Sequence, residues 1–163
     1  MARLAQTEGL TDVQEAILDA VHLFVDKEII PVANELEHND IYPQEIVDGL
    51  KELGVFGLMI PEEYGGLGMS YLELVVIAEE LGRACAPVPF SSTVYLAAEA
   101  IMALGTEAQK QAWLPKFADG TAIGCFAMGE AGGRVTPDQM STRMQDGVLN
   151  GTKVPVADGG IAN

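Results

Sequence analysis

The sequence predicts a mainly α protein: an antiparallel helical bundle of about five to six helices, followed by a short, incomplete β segment. Three observations predict it. Apolar residues recur at helical spacing in several stretches before residue 120. Two of these stretches, residues 71 to about 84 and 94–104, are apolar on nearly every side, so they must bury one another or a shared partner. After Gly120 the pattern changes to short runs with hairpin signals.

Thr11 or Asp12 can cap the first helix, whose apolar positions are Val13, Ala16, Ile17, Ala20, Val21, Phe24 and Val25. His22 lies beside that face and reads as a partly buried, non-catalytic histidine. Pro31 interrupts the pattern, because it lacks an N–H and crowds the preceding turn, so the helix kinks or restarts there. Residues 38–43 form a turn, and Pro43 suits the first position of a helix with Ile46, Val47, Leu50 and Leu53 inward and Gly54 past its end.

The stretch Ile60-Pro-Glu-Glu-Tyr-Gly-Gly-Leu-Gly-Met-Ser70 places three glycines in four residues, where the backbone can crowd or turn left-handed. Ser70 and Glu73 have capping-box spacing and open the central helix. Pro87 and Pro89 break the chain, and Ser91 or Ser92 can cap the helix of residues 94–104, with Glu99 its only polar position. Gly105 ends it. Thr106 with Gln109 makes a second capping box for a short helix carrying Trp113 and Leu114, closed by Pro115 and Gly120. Residues 122–128 read as a strand, 140–145 alternate, Asp146-Gly147 is a hairpin turn, and 148–157 read as strand with a turn at Asn150-Gly151. The expected organisation is a helical domain over 1–120 and a β domain beginning at 121 and stopping partway at 163.

Composition narrows the function. With 48% hydrophobic residues there is ample material for a core. The net charge of −15, with nine Lys and Arg, argues against nucleic acid, whose binding rests on clustered cations. No apolar run reaches the ~18 residues of a membrane span, and residues 1–9 resemble neither a signal nor a transit peptide, so a cytoplasmic protein is expected. Cys85 and Cys125 read as buried thiols of a reducing compartment. No metal is expected: His38 has no ligand at suitable spacing. Glu62, Glu63, Glu79 and Glu80 come as adjacent pairs that diverge on a helix, so they make no dyad. No hydrolytic triad or phosphate loop is present.

Residues 60–70, with Ala78-Glu-Glu-Leu-Gly-Arg-Ala-Cys-Ala-Pro87 and Leu50-Lys-Glu-Leu-Gly-Val-Phe-Gly-Leu58, closely resemble the N-terminal domain of the acyl-CoA dehydrogenases. The resemblance extends from about Thr11 to Asn163. It implies FAD, an acyl-CoA desaturated between its α and β carbons, an electron-transfer acceptor protein and a homo- or hetero-oligomer. It also implies a fold of a helical domain, a middle β domain and a C-terminal four-helix bundle. A flavin-bordering motif, Thr-Glu-Pro-x-x-Gly-Ser-Asp, is similar to residues 125–134 here. The similarity places Phe126 and Met128 at the flavin edge, Gly129 where the family has threonine, Glu130 at the motif glutamate, and Gly133 where a serine holds the CoA portion. A second motif, Asn-Gly-x-Lys-x-Trp-Ile-Thr, resembles residues 150–157, with Pro155 in place of the tryptophan and Ala157 in place of the donor to flavin N5. Phe90, Tyr95 and the loop of residues 65–69 are expected against the acyl chain. The family's catalytic glutamate belongs to the C-terminal bundle, so no catalytic residue is assigned and the chain is expected to be inactive alone. Two rival readings are a non-catalytic subunit of a hetero-oligomer acting on bulky acyl-CoAs, and a helical interaction module.

Overall fold

The computed structural model describes residues 9–131, 136 and 138–163; the expected substrate contact at Gly133 lies outside them. Six α-helices and one antiparallel hairpin occur among the described residues. Thr11 caps α1 (Asp12–Phe24) in a full capping box with Gln14. The helix widens by one residue per turn over Val25–Ile29, where the Ile30 N–H reaches the Val25 carbonyl, before Pro31 ends it. The chain restarts as α2 (Ala33–His38).

The buried stripe of α1 is Leu18 and Val21, continued by Val25 and Ile29. Val21 and Val25 are buried as expected, but Val13, Ala16 and Ala20 of the expected face are exposed, lining a groove beside Glu52 and Leu53. Thus α1 carries two apolar stripes, and the one through Leu18 turns inward. In α3 (Gln44–Glu52), Ile46, Val47 and Leu50 are buried as expected. Pro43 stands one place earlier than expected, at the cap, and Gly54 takes the left-handed conformation (φ 72°) past the helix end.

Residues 55–69 then thread through the core rather than round it. Phe56, Leu58 and Ile60 are fully buried, and Leu67, Gly68 and Met69 donate their N–H groups to Gly57, Ile60 and Leu58. These bonds satisfy main-chain groups that burial would otherwise orphan. Gly66 is required here, because a Cβ on it would run into the carbonyl of Ile60.

Ser70 and Glu73 form the expected capping box at the start of α4 (Tyr71–Arg83). Glu73 also accepts from the Gln14 side-chain amide, and Glu80, seven residues on, lies 2.8 Å from His22. Contacts therefore advance along both helices together, so α1 and α4 run parallel. The helix is not covered all round: Tyr71, Leu72 and Val75 are exposed, because α1 and the threaded loop cover one side only. Its C-terminus closes with Ala86 N–H on Leu81 and Cys85 N–H on Gly82. Cys85 takes the left-handed position (φ 47°) after the helix and is exposed, and Cys125 is half-exposed, against the expectation of two buried thiols.

The next helix starts at Phe90, runs as wide turns through Ser91–Ala98 and tightens into α5 (Glu99–Leu104). Ser91 and Ser92 do not cap it. The Ser92 hydroxyl bonds instead to the Pro89 carbonyl and to the Asp158 carboxylate. The Tyr71 hydroxyl donates to Glu99, while Leu81 shares a core with Phe90 and Val94, so this helix runs antiparallel to α4 as expected. Thr106 and Gln109 cap α6 (Glu107–Ala118), which continues through Pro115.

Beyond Gly120 residues 123–130 have no strand partner, so the expected strand at 122–128 does not form. This segment docks on the helices through Thr93, whose hydroxyl accepts from the Gly124 N–H and donates to the Gly124 carbonyl. The hairpin is β1 (Arg143–Gln145) with β2 (Val148–Asn150), in the register Met144 opposite Leu149, and strand does not continue past Asn150. Asp146 and Gly147 both have positive φ, the conformation of a two-residue turn between twisted strands. Asn163 returns to Ile123 through two hydrogen bonds.

Candidate functional site

The extended strip over residues 126–130 crosses residues 153–155 at close range. The Val154 N–H donates to the Gly129 carbonyl at 2.9 Å. A Cβ on Gly129 would lie 2.9 Å from the Val154 carbonyl oxygen, so a side chain there would force main chain to shift. Phe126, Met128 and Val154 are each about half exposed, at 45%, 46% and 45%. The structure thus brings the expected Phe126, Met128, Gly129 and Pro155 to one crossing, with the exposed Ala157 two residues beyond.

Glu130 fixes this crossing. Its carboxylate accepts from the main-chain N–H and hydroxyl of both Ser141 (2.6 and 2.6 Å) and Thr142 (3.0 and 2.5 Å), and from Lys153 Nζ at 2.9 Å. The Ser141 and Thr142 hydroxyls, then the Ser141 N–H and Lys153, hold this carboxyl far below the usual carboxylate range. Lys153 Nζ also donates to the Met128 carbonyl at 3.3 Å. Sequence reasoning placed Glu130 in a motif but missed Ser141, Thr142 and Lys153 as its partners. The only local signal was the Lys153 position in the second motif.

Phe90 and Tyr95 meet edge to face at 5.2 Å, and Phe90 also meets Phe56 at 6.3 Å. Phe90 is 3% exposed and belongs to the core. Both line a cleft of about 230 Å³ with Ala78, Leu81, Val88 and Cys85. The loop of residues 65–69 does not line it; Met69 packs on the core. A cavity of about 640 Å³ between Phe24, Tyr42 and Ile46 contains none of the expected site residues.

A polar seam joins α1 to α4. Arg83 bonds Glu80 (2.8 Å) and Asp26 (2.7 Å), and His22 touches both acids. Burial pushes the Glu80 carboxyl up, but hydrogen bonds from Arg83 and His22 outweigh it and hold the group below its ordinary value. The seam is one of stability. Among the described residues no group of three or more His, Cys, Asp or Glu could hold a metal ion, and no helix is long and apolar enough to cross a membrane.

The fold of this chain is that of solved acyl-CoA dehydrogenases. The butyryl-CoA dehydrogenase of Megasphaera elsdenii superposes with a TM-score of 0.79 at 32% identity, over 96% of this chain and 44% of that one. The glutaryl-CoA dehydrogenase of Mycobacterium smegmatis in complex with FADH2 gives 0.78 at 30% identity, over 94% and 41%. In sequence, the short-chain-specific acyl-CoA dehydrogenase of M. elsdenii is 37% identical over 165 residues, covering 95% of this chain and 43% of that protein. Residues 11–121 match the family described as acyl-CoA dehydrogenase, N-terminal domain. The chain belongs to the acyl-CoA dehydrogenase family. It spans less than half the length of these relatives.

Proposed function

We propose that residues 1–120 form the helical domain, and residues 121–163 the start of the middle β domain, of an FAD-dependent acyl-CoA dehydrogenase. The observation that carries this reading is the crossing of Gly129 with Val154, flanked by exposed Phe126 and Met128 and pinned by Glu130. Phe126, Met128, Gly129, Pro155 and Ala157 would border the flavin. The apolar strip fits its ring face. Gly129 and Ala157 offer no hydroxyl to its polar edge, so any donors there are main-chain groups. When bound, FAD supplies the two-electron acceptor for desaturation of the thioester. Phe90 and Tyr95 would border the acyl chain and Gly133 the CoA portion. The reading assigns no residue of this chain as the base for the α proton. An electron-transfer protein would reoxidise the flavin, and a cytoplasmic homo- or hetero-oligomer is the setting in which the reading places the chain.

A second reading, a non-catalytic subunit of a mixed oligomer acting on bulky acyl-CoAs, is favoured by the same missing hydroxyls and by Pro155 in place of an indole. The test is an FAD titration of the 163-residue chain, followed by flavin fluorescence, together with an acyl-CoA-dependent dye-reduction assay. Saturable binding without dye reduction is expected. Dye reduction by the chain alone would overturn the assignment of the base to residues outside it, and absence of FAD binding would favour the second reading.

A further inference from the structure

We propose that Glu130 and Lys153 act together as a positioning pair for the flavin edge, a role that rests on the reading just given. The argument starts from what a short extended strip lacks. Residues 123–130 have no strand partner, so nothing repetitive sets their path. Their course past Thr93 depends on a few point attachments, and Glu130 is the one that joins three separate pieces of chain. One carboxylate gathers Ser141 and Thr142 at the entry to β1 and Lys153 beyond β2. The hairpin is thereby tied to the strip at both of its ends. Lys153 closes the circuit by donating to the Met128 carbonyl, two residues before the acid that holds it.

The geometry makes the pair directional. The carboxylate is only 12% exposed and Lys153 only 20%, so the ion pair is largely withdrawn from solvent and keeps much of its orienting force. The Met128 carbonyl points to the ammonium and the Gly129 carbonyl takes the Val154 N–H. Main-chain direction at Met128 is therefore set by a bond from Lys153 itself, and at Gly129 by a main-chain bond to the residue that follows Lys153. The hydroxyl contacts absent at Gly129 and Ala157 leave main-chain direction as the means of orienting a polar ring edge. Neither residue touches the ring in this account; both act through residues 126–129.

The test uses the 163-residue chain with FAD as the probe, and the variants Glu130→Gln, Lys153→Met and Lys153→Arg. Each of the first two is expected to weaken FAD binding about tenfold, the worth of one charge-assisted bond. Each should also shift the amide resonances of Gly129 and Val154 without flavin, and change the visible circular dichroism of flavin at saturation. Lys153→Arg keeps the donor and should retain the wild-type spectrum. Helical melting should stay unchanged, because Lys153 and Glu130 lie outside the helical core. If both variants bind FAD as wild type does, with the same visible spectrum, the positioning role is overturned and the flavin reading stands. If the wild-type chain shows no saturable FAD binding, the flavin reading is overturned and this role falls with it.

Discussion

Glu73→Ala tests the seam on which the helical domain is assembled. Glu73 is 1% exposed and accepts from the Ser70 N–H at 2.8 Å, the Ser70 hydroxyl at 2.5 Å and the Gln14 amide. Loss of the capping-box carboxylate costs about 1 kcal/mol. A Gln14 amide left without its acceptor in a half-buried position costs about 1 kcal/mol more. Removing the buried methylenes adds about 1 kcal/mol. The expected loss is about 3 kcal/mol, or roughly 6–12 °C in Tm for a domain of this size. Urea and thermal unfolding followed by far-UV circular dichroism would measure it, and a cycle with Gln14→Ala should show coupling of about 1 kcal/mol. The pH dependence supplies a second check. Burial pushes the Glu73 carboxyl up, but bonds from the Ser70 hydroxyl, the Glu73 and Ser70 N–H groups and Gln14 outweigh it and hold it below 4.5. A group with a depressed folded pKa stabilises above its unfolded value and loses that contribution as pH falls through the folded one. The gap between wild type and Glu73→Gln should therefore narrow below pH 4.5. A loss under about 1 kcal/mol at pH 7, with no narrowing in acid, would refute the seam as an energetic feature.

Gly66→Ala should destabilise by about 3 kcal/mol, since main chain at Ile60 blocks a Cβ, whereas Gly82→Ala, with open space around it, should gain about 0.5–1 kcal/mol in chemical unfolding. Arg83→Met should cost about 2 kcal/mol at neutral pH, less than the full penalty for a stripped buried ion because His22 still faces Glu80 and Arg83 is 23% exposed. That loss should shrink in acid as Glu80 takes up a proton, which a pH series of urea melts would show. Val75→Lys should change stability by less than about 0.5 kcal/mol, because the side chain is 54% exposed, while its neighbour Val76→Ala should cost about 2 kcal/mol.

What could be read in advance was local. The pairs Ser70 with Glu73 and Thr106 with Gln109, and the Asp146-Gly147 turn, each rest on residues at most three apart, so their geometry follows from spacing alone. Pro31 and Gly54 act within one turn for the same reason. Readings failed where a distant partner decides. The first helix offers two apolar stripes, and only its parallel packing on α4 selects Leu18 and Val21 over Val13 and Ala16. Ser92 fits a cap by type, but the helix begins before it and its hydroxyl finds Asp158, 66 residues on. Residues 122–128 have the apolar content of a strand, yet a strand exists only beside another.

The site divides along the same line. Its positions could be aligned from the motif, but the meaning of Gly129 could not. Set against a family motif with threonine there, Gly129 reads as a lost contact. In the folded chain it is the residue that lets two stretches of backbone meet, with the Val154 carbonyl 2.9 Å from where a Cβ would be. Threonine at 129 would force this crossing to shift. The Pro155 carbonyl lies 3.4 Å from that same Cβ position, so the changes at 129 and 155 occupy one place in space rather than two in sequence. Glu130 makes the same point from the opposite side. It keeps the motif's residue, yet its bonds run to Ser141, Thr142 and Lys153, which the motif does not contain. A substitution that looks like erosion and a residue that looks merely retained are thus parts of one local packing solution, held by main-chain proximity and a shared carboxylate.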